Sequence, residues 1–170
     1  MRRPEAFAAL VSALALGACA TSALDLAPGQ LSFLNDLRRM CPTTDYGVTF
    51  ERGARLAWAD RAHLFISGTA SIDAQGEILH PGDVLAQLDR ALENVAALLG
   101  SAGATLAHMT HMIVYLRDPG DAAAVRGRLA ARFPDLPMAV VHGPVCRPAW
   151  LVEVEGLAIT PNDEARLPGF

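Results

Sequence analysis

The sequence predicts an α+β domain, a mixed sheet with two helices on one face, in the order β-β-α-β-α-β-β. Three observations predict it. Short alternating polar and apolar runs flank tight turns. Two stretches carry apolar residues at helical spacing, each opened by aspartate. Between them lies a β-branched run too short for a third helix.

The elements follow in order. Arg55 to Ala59 alternates, Asp60-Arg61 offers a turn, and His63 to Ser67 before Gly68 completes a hairpin. Ser71 to Glu77 is a polar turn, with Ile78-Leu79 a short extended piece. Asp83 after Pro81-Gly82 is the N-cap of a helix whose stripe is Val84, Leu88, Leu92, Val95 and Leu99, with Gly100 as its stop. Met109 to Leu116 is a buried strand. Asp118-Pro119-Gly120-Asp121 opens a second helix through Ala122, Val125, Leu129 and Phe133, ended by Pro134. Ala139 to Val145 and Leu151 to Ile159 are the last strands, turning at Arg147-Pro148-Ala149. The chain divides into an N-terminal segment (1–47), the domain itself (48–160) and a tail (161–170).

Composition excludes several classes. All 14 basic residues of the 170 are arginine, and the net charge is −4. An acidic chain with no basic run lacks the phosphate-neutralising charge of a nucleic-acid binder. Without lysine there is no Schiff base, Walker lysine or pyridoxal anchor, so any cation that grips a substrate is arginine. Cys19, Cys41 and Cys146 are odd in number and lack CxxC spacing, which argues against a disulfide framework or metal cage. His108 and His111 fall on a strand that would send them to opposite faces, so no metal site is expected.

The N-terminus reads two ways. Arg2, Arg3, the apolar Phe7 to Ala18 and Leu16-Gly17-Ala18 before Cys19 fit a lipoprotein signal, which would export the protein and anchor it to a membrane through Cys19. Alternatively, residues 11–36 echo 95–118 in their helix, Gly/Ala/Thr break and Leu-X-Asp close, as the remnant of a degenerate repeat in a cytoplasmic protein.

In the last strand, Val152 and Val154 point one way and Glu153 and Glu155 the other. On pattern alone, the two carboxylates are either a solvated face or a pair that raises each other's pKa.

Several stretches, taken in order, bear on the family. They are Leu64-Phe65-Ile66-Ser67-Gly68, the Gln87 helix with Leu92-Glu93-Asn94-Val95, Ala102-Gly103-Ala104-Thr105, Val114-Tyr115-Leu116-Arg117-Asp118, Phe133-Pro134 with Pro137, and Val152-Glu153-Val154-Glu155. With them, residues 48–160 resemble the Rid superfamily of YjgF/YER057c type. The resemblance implies a chorismate-mutase-like fold assembled as a homotrimer with ligand clefts between subunits. It also implies hydrolysis of 2-imino or enamino acids to 2-oxo acids and ammonia, with no metal or organic cofactor. Ser67 to Ser71, and Val145-Cys146-Arg147-Pro148 followed by Leu151 to Gly156, resemble the C-terminal half of the chorismatases. Those enzymes hydrolyse an enol ether by protonation from a carboxylic acid.

Carried onto this chain, the family's acid/base carboxylate is Glu153, with Glu155 as its neighbour. The family's carboxylate-binding arginine position holds Ala139. Arg147 and then Arg52 are the candidate replacements, and Phe50 stands where the family often has tyrosine. Ser67 and Thr69 offer hydroxyls and Cys146 a pocket wall. The function expected is a hydrolase or deaminase acting on a small carboxylate-bearing imine, enamine or enol ether. The alternative is a trimer of this fold that binds a metabolite or partner without turnover. A ribonuclease role, sometimes attached to the superfamily, finds no support in an acidic chain.

Overall fold

Alternation along the last strand fixes the two faces of the sheet, and the rest of the chain is arranged around it. The structure, a computed structural model, describes residues 26–170. Cys19, the signal-like run before it and the first part of the suggested repeat lie outside the described residues.

The strands are β1 (Leu31–Leu34), β2 (Gly53–Ala57), β3 (Arg61–Thr69), β4 (Met109–Leu116), β5 (Met138–His142) and β6 (Val152–Pro161), and the helices α1 (Val84–Ser101) and α2 (Ala122–Arg132). They form one six-stranded sheet in the order β1-β2-β3-β6-β4-β5. Only the β4–β5 pair is parallel, and α2 makes that crossover. On one face, Val152, Val154 and Ala158 of β6 are buried with Leu64, Ile66, Met112, Val114 and Leu116. Helix α1 covers them with Leu88, Leu92, Val95 and Leu99, and α2 adds Val125 and Leu129 to the same core. The expected α+β architecture is therefore present.

Boundaries differ where local chemistry overrides pattern. Asp83 caps α1 by accepting the Ala86 N–H at 2.9 Å, as expected. The helix runs past Gly100 to Ser101, and the left-handed residue that turns the chain is Gly103, with φ +72°. β5 ends at His142 rather than Val145. Gly143 and Pro144 break it, proline having no N–H for the ladder, and Val145 turns into the core. The hairpin turn falls at 58–60, closed by Trp58 N–H donating to the Arg61 carbonyl at 2.8 Å. β1 was not anticipated. It lies in the segment read as N-terminal to the domain and pairs with the edge of β2, Leu31 opposite Leu56.

The opposite face of the sheet is only partly covered. Phe33, Ala54, Phe65 and Leu157 form one row across β1, β2, β3 and β6, and Glu153, Tyr115 and Val141 another across β6, β4 and β5. Phe65 is 46% exposed, Phe33 is exposed in the same row, and Val141 is exposed at the end of the other.

Gly156 lets β4 and β6 approach beside an irregularity in their register. An added Cβ there would stand 2.5 Å from the His111 carbonyl oxygen and 2.5 Å from the Met109 Cε. Gly156→Ala is expected to cost about 1–3 kcal/mol, read as a lower urea midpoint. Gly100→Ala, where an added Cβ meets nothing within 4 Å, should instead gain up to about 1 kcal/mol.

Candidate active site

The site begins with a β-bulge. Ile66 pairs with Gly156, but Thr69 pairs with Val154, so three steps along β3 match two along β6. The extra residue lies in Ser67-Gly68, opposite Glu155 in the register, and Gly68 comes close to the Glu153 carboxylate. Glycine leaves room there, since a Cβ at Gly68 would stand 3.8 Å from Glu153 Oε1. The Thr69 hydroxyl donates to the Ser67 carbonyl at 2.8 Å, and the Ser67 hydroxyl to the Glu51 carbonyl at 2.7 Å.

A cavity of about 430 Å³ opens beside this bulge. Its polar side chains are Glu153, Arg52, Arg147, Ser67 and Cys146, and its apolar walls include Val48, Phe50, Ile72 and Trp150. Arg52 is only 6% exposed. Its Nε and Nη2 donate to the Cys41 carbonyl at 3.2 and 2.6 Å. The Arg147 Nη1 donates to the Gly76 carbonyl at 3.1 Å, and its guanidinium lies 5.1 Å from the centre of the Trp150 ring.

Two side chains outside the cavity hold the irregular segment between β5 and β6. Gln87, fully buried in α1, donates to the His80 and Ala149 carbonyls at 3.1 and 3.0 Å and accepts the Leu151 N–H at 2.9 Å. Arg117, just after β4, donates to the Trp150 carbonyl at 2.7 Å, to Val145 at 2.6 Å and to Arg147 at 2.7 Å.

Burial raises the Glu153 carboxyl above the ordinary glutamate range. The charge of Glu155 adds to the rise, and Arg117 draws it back. The Tyr115 hydroxyl donates to Glu155 Oε1 at 2.8 Å. Burial first, then that bond to a carboxylate, push the phenol up to about 12. The two glutamates thus share a face but differ in surroundings, one at a cavity and one bound to a phenol.

Six of the eight side chains singled out from the sequence meet at this cavity: Glu153, Arg147, Arg52, Phe50, Ser67 and Cys146. Thr69 and Glu155 do not line it. Thr69 is buried within the bulge, and Glu155 is turned to Tyr115. Ala139 is exposed on β5 opposite Ile113, which in turn faces Glu155, and it is no part of the cavity wall. Sequence reasoning missed Trp150 as a wall, and it quoted Gln87 and Arg117 only within matched stretches. A buried glutamine on an otherwise apolar stripe was the available signal for the first of these holders. Among the described residues, no group of three or more His, Cys, Asp or Glu could hold a metal ion.

A mixed sheet backed by two helices, with a carboxylate at a bulge facing arginine-bearing loops, defines a Rid-type α+β domain. The comparisons agree. The model for the family described as Endoribonuclease L-PSP matches residues 55–160, and the chain belongs to this Rid/YjgF family.

Within the family it falls in a chorismatase-like branch. It is 38% identical to a chorismatase of Streptomyces rapamycinicus over 58% of this chain and 32% of that one. A crystal structure of a chorismatase superposes with a TM-score of 0.68 at 30% identity, covering 76% of this chain and 44% of that one. The 3-aminoacrylate deaminase RutC of Acinetobacter baylyi is 30% identical over 56% of this chain and 77% of its own length. The chain thus spans about a third of the length of the chorismatase it matches. Among the described residues, no helix is long and apolar enough to cross a membrane.

Glu153 binds protons more tightly folded than unfolded, so its ionisation is unfavourable to folding. Its contribution to stability is fully present at low pH and falls as pH rises from the ordinary glutamate range through its own raised midpoint. Glu153→Gln should therefore be the more stable protein at pH 7, with an advantage that shrinks toward pH 4. Thermal unfolding at both pH values checks this. In Glu155→Gln, the Glu153 midpoint should move down, which carboxyl ¹³C titration reads.

Proposed function

We propose that this cavity is the active site of a hydrolase acting on a small carboxylate-bearing imine, enamine or enol ether, with Glu153 as the acid/base group. One observation carries the reading: a carboxyl with raised proton affinity and two arginines line the same largely apolar cavity. A carboxyl whose proton affinity is raised by burial can donate a proton, and as carboxylate it can position or deprotonate water. Arg147 and Arg52 supply positive charge for the substrate carboxylate in place of the family arginine at 139, and Phe50 and Trp150 supply apolar walls. Ser67 and Cys146 line the remaining wall. Glu155 acts on Glu153 through charge alone.

For an enol ether, Glu153 would protonate the terminal alkene carbon. Water then adds to the resulting oxocarbenium carbon, and C–O cleavage releases a ketone and an alcohol. For an imine, water adds to the C=N carbon and ammonia leaves. Both routes need a proton donor, water and a bound anion, and neither needs a metal or organic cofactor. The relatives named for chorismatase and for 3-aminoacrylate deaminase activity support hydrolysis of this class. The alternative, binding without turnover, has alanine at 139 in its favour. The acidic charge and the absence of lysine give no support to RNA as substrate.

We also infer a homotrimer, supported by the exposed Phe33, Phe65 and Val141 on the open sheet face. Sedimentation should give three times the chain mass, and Phe65→Glu should shift the protein toward monomer.

Wild-type protein incubated separately with freshly generated 2-iminobutanoate and with chorismate should turn over at least one of them. Glu153→Ala should lose about 10²–10⁴-fold in rate. Arg147→Ala and Arg52→Ala should raise KM, by about tenfold or more where a charged hydrogen bond to the substrate is lost. Equal rates for wild type and Glu153→Ala on both compounds would exclude hydrolysis of these substrates and favour the binding role.

A further inference from the structure

We infer that Arg117 is the positioning residue of this site, fastening the segment that carries Cys146, Arg147 and Trp150 into the cavity to the end of the strand beside Glu153. The assignment rests on the reading of Glu153 as the acid/base group.

The segment from Gly143 to Leu151 has no helix or sheet pairing of its own, so its carbonyls need partners from elsewhere. Arg117 supplies partners for four of the nine. Its guanidinium donates to the carbonyls of Val145, Arg147 and Trp150 at 2.6–2.7 Å. Its backbone N–H donates to the Leu151 carbonyl at 3.0 Å. One residue thus addresses four carbonyls spread over seven positions. A planar fork of five N–H groups can do this, whereas an ammonium concentrates its three donors at one point.

The same residue is set against Glu153. Leu116 pairs with Val152, so Arg117 stands opposite Leu151, two positions before Glu153 along the same chain. The charged and titratable groups around Glu153 are Glu155 on its own strand, Tyr115 across on β4, Arg117 beyond it, and Arg52, Arg147 and Cys146 on the cavity wall. Loop geometry and acid strength are therefore tied to one side chain. A residue holding the loop for stability alone would affect the first and leave the second unchanged.

The test uses the full chain with Arg117→Gln and Arg117→Lys. Amide exchange of Trp150 and Leu151, both hydrogen-bonded here, should quicken by about tenfold or more in both variants. The Glu153 midpoint, followed by ¹³C titration, should rise in Arg117→Gln and stay near the parent value in Arg117→Lys, which keeps the charge. Lysine retains the charge and a donor, so it serves as the folded variant if the glutamine protein does not accumulate. Parental exchange at Trp150 and Leu151 would overturn the assignment. So would a fall in Tm with the Glu153 midpoint unmoved in Arg117→Gln. Both measurements are made without substrate. If Glu153→Ala turned over substrate like the wild type, the hydrolase reading would fall while these results still decided whether Arg117 governs loop and carboxyl.

Discussion

Burying Val152 and Val154 under α1 forces Glu153 and Glu155 onto the other face of the central strand, and the site depends on that constraint. A strand has no other way to dispose of alternate side chains. Because β6 lies between β3 and β4, neither carboxylate can reach open water along the sheet plane. They are half-buried as a consequence of the core. The cost of holding charge there appears as the raised proton affinity of Glu153 and the bond between Glu155 and Tyr115. The carboxylate pair and core packing are thus two faces of one alternating pattern, and slipping β6 by one residue would destroy both.

The bulge gives Glu153 its opening. An unbroken ladder would pair Ser67 with Glu155 and set Thr69 opposite Glu153. The extra residue instead widens the gap on the β3 side, and glycine leaves the space unfilled. From the other side the 143–151 segment closes over the carboxylate, held by Gln87 from the helix layer and Arg117 from the sheet. Neither holder faces the cavity. They meet the hydrogen-bonding demand of an irregular backbone that would otherwise be costly to bury, and the cavity walls are placed as a result.

Pattern made the fold legible wherever one face is buried. Both helices and the strands β2 to β6 follow from apolar spacing and from Asp83, Asp118 and Pro134. β1 did not, because Leu31-Ser32-Phe33-Leu34 does not alternate and only pairing with β2 makes it a strand. Gly100 misled for a related reason: a glycine is a permitted helix stop, but whether it adopts a positive φ is decided by the chain around it. In the site, residue types pointed to Glu153 and the arginines. What they could not tell was which hydroxyls and carboxylates the backbone would claim first. Thr69 is taken by the bulge and Glu155 by Tyr115, both contacts between residues whose proximity depends on register.

A lysine-free chain must make every long-range cationic contact with guanidinium, and here that shapes how the cavity is built. Arg52 and Arg147 face the cavity while holding carbonyls of Cys41 and Gly76, so each charge is fixed by the backbone it supports. A guanidinium has enough donors to hold a carbonyl on one edge and present charge on another. Alanine at 139 leaves β5 without a cation on the open face, and the positive charge comes instead from the 50–52 and 146–147 loops. The 50–52 loop lies against β3 and the 146–147 loop is held by Arg117 at the end of β4, so neither charge comes from β5 at the edge of the sheet. In the proposed reading, a carboxylate held by these two arginines lies against Phe50 and Trp150 and away from β5, so alanine at 139 goes with a different place for the bound anion.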